Sequence, residues 1–299
     1  MPNLRDIRKR IEAAANIRKI TQTMERISAV RVLRTNRRLE KTRDYSKSIK
    51  CMAADLFFTA IQEENSLRDL CLLHSKENMN SVGLVVVTGN QGMCGGYNYH
   101  LLQEADTIYE QFTRKHLSPK IFAVGKKAIQ HFRNRGIQMQ FCTEQFSDKF
   151  TYDDIMPMAE NLMQSLANGE LDEVLLIYTH LESTSVRYPL VEALLPCDEF
   201  LQELGSPDKD KRRQFVCEPN IHDMINVLLP ELVINRLFEA ILESIVAEHI
   251  SRRFAMQQAS TSARDMITEM RNQYHAVRKS KITRELNEIM GTVLALERD

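Results

Sequence analysis

The sequence has few of the residues that build loop-rich or disulfide-stapled folds. Its 299 residues include 10 Gly, 8 Pro, 6 Cys and no Trp, and 7% are aromatic. Such low glycine and proline contents argue against a β-sandwich, a barrel or low-complexity disorder, and they favour helix. The aromatic content is small for a protein that stacks bases or sugars. A chain of this length can still bury a substantial core without a disulfide or a structural metal.

The sequence also lacks the signals of secretion and of membrane insertion. Its cysteines are scattered and form no C-x-x-C pair, which indicates reduced thiols in a cytosolic compartment. No uncharged apolar window reaches the about 18 residues that span a bilayer. No apolar stretch of signal-peptide length follows Met1. We therefore expect a cytosolic chain, or one that reaches a membrane only through partners.

Positive and negative side chains balance overall but are segregated along the chain. Lys plus Arg and Asp plus Glu number 40 each. Residues 1–50 hold 15 basic and 5 acidic side chains, a net of +10, and residues 250–299 hold 9 and 6, a net of +3. The remaining 199 residues therefore carry a net of −13. This asymmetry indicates a basic arm that binds phosphates or an acidic partner.

The first segment predicts a long N-terminal coiled-coil helix over residues 1–60. It contains no Gly, and no Pro beyond Pro2. Its apolar residues recur in steps of three and four: Leu4, Ile7, Ile11, Ala14, Ile17, Ile20, Met24 and Ile27. Such a narrow seam, with a period below 3.6 residues, is typical of a helix that winds left-handed around a partner helix.

The last segment predicts a second coiled-coil helix over residues 219–299, antiparallel to the first. We expect Pro230 to kink this helix or to delay its start. One apolar seam steps by three and four through Met256, Ser260, Ala263, Ile267, Met270, Tyr274 and Val277. After a jump of five, the same stepping resumes at Ile282, Leu286, Ile289, Val293 and Leu296. Because the slip rotates the apolar side of the helix, we expect its tip to meet a different surface.

Between the two helices, residues 75–218 predict a central, Rossmann-like α/β domain. Alternating strands and helices indicate a partly parallel sheet with right-handed crossovers. Buried strands are predicted at 82–88, 120–124 and 174–179, edge strands at 187–196 and 213–218, and helices near 97–115, 126–135 and 153–168.

A glycine-rich turn at residues 89–96 is the most tempting motif for ligand binding. Its spacing is G-x-x-G-x-x-G, whereas a dinucleotide fingerprint is G-x-G-x-x-G, and the Gly-Lys-Ser/Thr of a phosphate-binding loop is missing. We favour a tight turn for packing or protein contact over a nucleotide-binding enzyme. Cys94 has no matched base, His249 is expected to be a packed core histidine, and no metal-ligand spacing occurs. The sequence therefore predicts no catalytic, cofactor or metal residues.

The arginine-rich stretch between residues 26 and 43 admits two interpretations. Its cations are able to neutralise phosphates, so a basic coiled-coil nucleic-acid-binding protein with an α/β head is one hypothesis. Positions 1–44 hold no aromatic residue, which weakens single-strand stacking. The favoured interpretation makes these arginines the solvated face of a coiled coil, or the face opposite an acidic protein.

Several segments, taken in chain order, together resemble the gamma subunit of the F-type ATP synthase. The matching segments are LRDIRKRI at 4–11, IRKITQTM at 17–24, GMCGGYN at 92–98, VEALLP at 191–196, EP at 218–219, AEH at 247–249, RRFAM at 252–256 and ITRELNEIMG at 282–291. The resemblance covers the whole chain and suggests a divergent bacterial member of that family.

This resemblance implies a function without catalysis in the chain itself. The terminal helices would form a shaft inside the hexamer of alpha and beta subunits, with the α/β domain beside the epsilon subunit and the c-ring of the membrane sector. The chain would transmit torque during proton-driven ATP synthesis or ATP hydrolysis, with no cofactor and no nucleic acid. It would lie peripherally at the cytoplasmic face of the bacterial inner membrane. Its basic shaft would face acidic loops of beta.

The resemblance also suggests which residues couple the shaft to the hexamer, and where this sequence departs from the family. The implied coupling residues are Met24, Arg26, Arg278, Thr283 and Glu285. The family usually has Gln at the position of Lys279, and Ser-Asp-Arg-Gly at residues 89–92. Here Asn90 and Gln91 lose both charges, so any ion pair of that turn would be lost. Arg31 replaces the usual Lys, which keeps the charge but changes the geometry.

Overall fold

In the computed structural model of the chain, an α/β segment lies between two long helices in the sequence. The structure describes residues 4–62, 79–146, 148–197 and 220–296. The elements are α1 (Leu4–Gln62), β1 (Ser81–Val87), α2 (Tyr97–Arg114), β2 (Ser118–Val124), α3 (Lys126–Asn134), β3 (Met139–Thr143), α4 (Met156–Ala167), β4 (Glu173–Leu181), β5 (Arg187–Leu195) and α5 (Ile221–Leu296). The strand predicted at 213–218 lies outside the described residues. In the described part of the chain, no helix is long and apolar enough to cross a membrane.

The strands form one sheet in the order β3-β2-β1-β4-β5. The first four strands are parallel, and β5 pairs antiparallel with β4 at an edge. The predicted Rossmann-like α/β fold is therefore confirmed. The sequence did not predict β3, because its five residues carry no continuous apolar run and are half-buried or exposed in alternation.

The chain divides into two compact units. The terminal unit comprises Met1–Ser28 and Arg252–Asp299, and the head unit comprises Ala29–Ser251. Both α1 and α5 contribute residues to each unit. Our prediction of three domains, at 1–60, 75–218 and 219–299, stays a prediction.

Within the head unit, both faces of the sheet are covered. Val82, Leu84 and Val86 of β1 pack with α2 and α3. Val85 and Val87 point to the opposite face, where α4, α1 and α5 cover them. Alternate residues of a strand point to opposite faces, so a strand buried on both sides reads as a continuous apolar run.

Contacts in the head unit show that α1 and α5 run antiparallel. Arg43 reaches Glu243, and Ser46 accepts a hydrogen bond from Asn235 at 2.7 Å. As residue numbers rise along α1, those of their partners fall along α5. The predicted antiparallel pairing is confirmed. However, α5 begins nine residues before Pro230 and continues through it. Of the two effects that we expected from Pro230, the delayed start is wrong, and the kink stays a prediction.

In the terminal unit, the predicted seam of α1 is only partly correct. Ile7 and Ala14 are buried, but Ile17, Ile20 and Ile27 are 54%, 60% and 44% exposed. The buried positions instead continue at a spacing of seven through Thr21 and Ser28. Positions 14, 21 and 28 hold small side chains, which allow a closer approach of packed helices than large ones do. The isoleucines at 17, 20 and 27 lie on a neighbouring, exposed face. On α5 the predicted seam is confirmed by four buried residues: Met256, Ser260, Ala263 and Ile267.

Candidate functional site

The five predicted coupling residues all belong to the terminal unit: Met24, Arg26, Arg278, Thr283 and Glu285. Met24 is half-buried and the other four are exposed. The Thr283 hydroxyl donates to the Lys279 carbonyl at 3.0 Å, and Lys281 Nζ lies 3.7 Å from a Glu285 carboxylate oxygen. These contacts stay within one helix, so they leave the side chains accessible to a partner.

An apolar surface near the end of α5 lies beside these residues. The shaft positions Met270, Tyr274 and Val277 are half-buried. Beyond the jump of five, Ile282 and Leu286 are 45% and 57% exposed. Ile289 and Met290 are exposed as well. We call the apolar surface formed by Ile282, Leu286, Ile289 and Met290 the tip surface. Exposed apolar patches often mark sites of interaction with another protein.

The glycine-rich turn is a packing element, as the favoured interpretation predicted. Cys94 and Tyr97 are buried against Ala247 of α5. A Cβ on Gly89 would lie 2.6 Å from the carboxyl carbon of Glu248, so glycine permits this close approach. Burial and the nearby Glu248 carboxylate raise the pKa of Tyr97 well above its ordinary value, which keeps its hydroxyl protonated.

The crevice where a Rossmann fold usually binds a nucleotide is filled by side chains of the head unit. Tyr97 Oη donates to the Ser244 carbonyl at 3.0 Å and lies 2.7 Å from the Ser244 hydroxyl. That hydroxyl lies 3.5 Å from both the carbonyl of Val87, at the end of β1, and the amide of Thr179 in β4. Ligands of open α/β sheets bind outside these strand ends, where α5 already lies.

The first amides of α3, which would form a phosphate site, are also occupied. Lys126 N donates to the Asn90 side chain at 2.8 Å, and Ala128 N donates to the Thr88 hydroxyl at 2.9 Å. Lys127 N donates to the carbonyl of Gly89 at 3.3 Å. An anion site at a helix N-terminus needs such amides free. The amides of Lys126, Lys127 and Ala128 are therefore already hydrogen-bonded within the chain.

The side chain of Asn90 connects the glycine-rich turn to two other segments of the head unit. Its amide nitrogen donates to the carbonyls of Glu144 and Phe146 at 3.0 and 3.3 Å, while its oxygen accepts from Lys126 N. An ionised aspartate is an acceptor only. Asn90 therefore supplies two donors, which an aspartate would lack, and they tie the turn to the segment after β3.

Several arginines of α1 that the sequence assigns to a solvated face bind acidic or carbonyl groups of the head unit instead. Arg38 donates to the carbonyls of Asp148 and Phe150 at 2.6 and 2.7 Å. Arg31 Nε lies 3.4 Å from the Asp148 carboxylate, which also contacts His249 Nε2 at 2.6 Å. His249 is buried as expected, but it is hydrogen-bonded rather than packed only against apolar groups. The sequence missed these contacts because the partners lie over 100 residues away.

Comparison with known proteins agrees with this architecture. A family model described as ATP synthase matches residues 3–296. The ATP synthase gamma chain of Saccharopolyspora erythraea is 30% identical over 311 residues, covering 99% of this chain and 98% of the relative. That of Rhodopirellula baltica is 31% identical over 302 residues, covering 99% of this chain and all of the relative.

A solved structure shares the fold. A chain from the central stalk and c-ring of Tetrahymena thermophila mitochondrial ATP synthase superimposes with a TM-score of 0.58 at 20% identity, covering 81% of this chain and 99% of that chain. The family model and the two bacterial relatives span nearly all of the chain, at both of its long helices and its sheet. The chain therefore belongs to the ATP synthase gamma chain family.

Proposed function

We propose that this chain is the central rotor stalk of a bacterial ATP synthase and transmits torque between the membrane c-ring and the catalytic hexamer of alpha and beta subunits. The observation that carries the proposal is the contrast between its two units. In the head unit, Arg31, Arg38 and Arg43 bind groups of the same unit. Side chains of that unit also fill the crevice in which a Rossmann fold usually binds a nucleotide. The terminal unit leaves the tip surface exposed to a partner.

The same contrast supports a chain that contributes no catalytic residue of its own. Helix α5 fills the crevice of the sheet, and the amides at the start of α3 are bonded within the chain. Catalysis then belongs to the hexamer, with the epsilon subunit and the c-ring as further partners of the head. The chain would be held peripherally, at the cytoplasmic face of the inner membrane, through those partners.

Coupling to the hexamer is assigned to Met24, Arg26, Arg278, Thr283 and Glu285 of the terminal unit. Four of them are exposed, and the contacts of Thr283 with Lys279 and of Glu285 with Lys281 run along their own helix. The tip surface supplies apolar area beside these polar groups. Because apolar contacts are non-directional, they would allow the end of α5 to turn inside the hexamer without breaking hydrogen bonds.

The assembly is tested first by native mass spectrometry of the tagged chain, purified gently from its own cells. We expect one copy with three alpha and three beta subunits. A lone monomer would contradict the rotor proposal. A complex with nucleic acid would favour the basic coiled-coil alternative, which the comparisons with known proteins do not support.

Coupling is tested by Glu285→Ala in the assembled complex. We expect ATP-driven ion pumping to fall at least about threefold, because truncating one partner of a charged interface contact costs on the order of 1 kcal/mol or more. The stability of the isolated chain should change little, since an exposed ion pair within a helix is worth about 0.3–0.5 kcal/mol.

Glu288→Ala is the matched control. Glu288 lies one turn further along the same helix and contacts Arg284 at 3.2 Å in an equivalent pair. We expect pumping by this variant to match that of the unaltered chain. Equal pumping by the Glu285→Ala and Glu288→Ala variants would argue against a coupling role for Glu285.

A further inference from the structure

Helix α5 carries three charged residues on a face that would ordinarily be apolar. Arg236, Glu239 and Glu243 follow one another at spacings of three and four, and their side chains are only 13%, 10% and 2% exposed. This spacing places them on one side of the helix. We call these three residues the charge ladder.

The first rung of the ladder, Arg236, binds the antiparallel edge of the sheet. Its Nε donates to Glu192 of β5 at 2.8 Å, and its Nη2 donates to the Tyr178 hydroxyl of β4 at 2.8 Å. Its Nη2 also contacts the second Glu192 oxygen, and its Nη1 lies 3.5 Å from Glu239. Burial lowers the pKa of Arg236, but its hydrogen-bonded and acidic partners raise that pKa by more than burial lowers it. The pKa therefore lies above its ordinary value, and the guanidinium stays charged.

The last rung, Glu243, joins α5 to β4 and to α1. One carboxylate oxygen accepts from the Leu181 amide at 2.7 Å and from Arg43 Nη2 at 2.9 Å. His180 Nδ1 lies 2.9 Å from the same oxygen. Arg43 Nε is also 3.8 Å from Glu239, so one guanidinium spans the last two rungs. The ladder therefore contacts β4, β5 and α1.

Stability alone does not account for these buried charges. Well-packed apolar residues of similar volume often stabilise a core as well as a buried ion pair does, and in some proteins a buried polar or charged group is kept because it specifies one register. The order of positive and negative charges along the ladder favours one register of α5 over a register shifted by one turn. If α5 slipped by one turn, Glu239 would take the place of Arg236 and face the Glu192 carboxylate.

We propose that the charge ladder is the positioning element that holds α5 in register on α1 and on the β4–β5 edge while the chain carries torque. This inference rests on the proposed rotor function, since a load on α5 is what the register must resist. Arg236, Glu239 and Glu243 act through Arg43, Tyr178 and Glu192 and touch no reacting group.

The test replaces one rung by apolar groups of similar size in the complete membrane complex. The triple variant Tyr178→Phe, Glu192→Leu, Arg236→Met removes the sheet rung and leaves the net charge unchanged, while Glu239 keeps Arg43. The control Glu110→Leu, Arg114→Met removes the same charge types from an exposed pair within α2. Inverted vesicles then report the number of ions pumped per ATP hydrolysed while the opposing ion gradient is raised.

We expect the triple variant to assemble and to hydrolyse ATP without load as the unaltered complex does. At high opposing gradient, the ratio of ions pumped to ATP hydrolysed should fall to about half or lower, because the register is no longer specified by buried charge. The control should follow the unaltered complex at every load. The dependence on load separates a positioning role from a merely structural one.

A second variant keeps the proposal falsifiable if the triple variant does not assemble. Arg43→Lys keeps the charge at a residue that is 42% exposed, but a single ammonium cannot span two carboxylates as the guanidinium fork does. We expect a smaller loss that also grows with load. A ratio that matches the unaltered complex at every load, or one that falls equally at every load, would overturn the inference. If the unaltered complex itself pumps no ions, the rotor proposal fails instead.

Discussion

At the scale of single residues, backbone conformation sets which side chains the turns of the head tolerate. Gly125 lies between β2 and α3 and has a φ of +93°. A Cβ at this position would lie 2.2 Å from the backbone carbonyl oxygen of Thr88. The Thr88 backbone cannot easily move away, since its amide donates to the Val124 carbonyl at 2.8 Å and its hydroxyl accepts from the Ala128 amide at 2.9 Å.

We therefore expect Gly125→Ala to lower the free energy of unfolding of the isolated chain by at least about 2 kcal/mol, from the disfavoured dihedral angle and the backbone clash together. Urea unfolding followed by circular dichroism measures this change. Gly92→Ala is the matched control, because a Cβ on Gly92 meets nothing within 4 Å. Similar losses of stability in both variants would mean that the clash and the dihedral angle at Gly125 do not explain its effect.

The sequence shows some residue-scale features and hides others. It indicated correctly that the glycine-rich turn serves packing, because the spacing fits no nucleotide fingerprint. It could not indicate what Asn90 does, since the carbonyls of Glu144 and Phe146 come from a segment more than 50 residues away. For the same reason Arg38 and Arg43 appeared to be solvated cations. Long-range partners are set by the fold and not by local pattern.

At the scale of elements, periodicity predicts which helices form better than it predicts which of their faces is buried. Both long helices and most strands follow from apolar spacing and from the scarcity of Gly and Pro. On α1, however, two rows of residues on adjacent faces are candidates for the buried seam. The seam that includes Ala14 and Ser28 is buried, while the isoleucines at positions 17, 20 and 27 are exposed. Hydrophobicity favoured the larger residues, whereas close helix packing selects the smaller ones.

This choice of seam gives opposite expectations for two substitutions in α1. Ala14 is 4% exposed, so Ala14→Leu should overpack the helix pair and cost about 1–3 kcal/mol of stability. Ile20 is 60% exposed, so Ile20→Gln should change the stability of the isolated chain by less than about 0.5 kcal/mol. Urea midpoints of the two variants decide the matter. A larger loss from Ile20→Gln would restore the seam that the sequence predicted.

At the scale of the whole molecule, basic residues are concentrated at the N-terminus, and contacts within the fold account for only some of them. Residues 1–50 carry a net of +10 in a chain of zero net charge. Three cations of α1 are used inside the head unit, at Arg31, Arg38 and Arg43. Many others, among them Arg8, Lys9 and Arg10, are exposed. Their field extends into solvent and is able to act on a partner before contact.

If the exposed cations steer the chain into an acidic hexamer, association should depend on their charge and on salt. Replacing Arg8, Lys9 and Arg10 by Gln should slow association with the purified alpha–beta hexamer by up to about tenfold at low ionic strength. The difference should shrink at 1 M salt, where the screening length falls to about 3 Å. Stopped-flow fluorescence over a series of salt concentrations measures both effects.

The matched control removes the same number of exposed cations from the head, by Lys115→Gln, Arg133→Gln and Lys149→Gln. Both triple variants lower the net charge of the chain by three, so they differ only in where the charge is lost. Steering by α1 requires that the α1 variant lose both rate and salt dependence while the head variant keeps them. Equal slowing would mean that net charge alone governs the encounter, and no slowing in either would leave the exposed cations of α1 without a role in assembly.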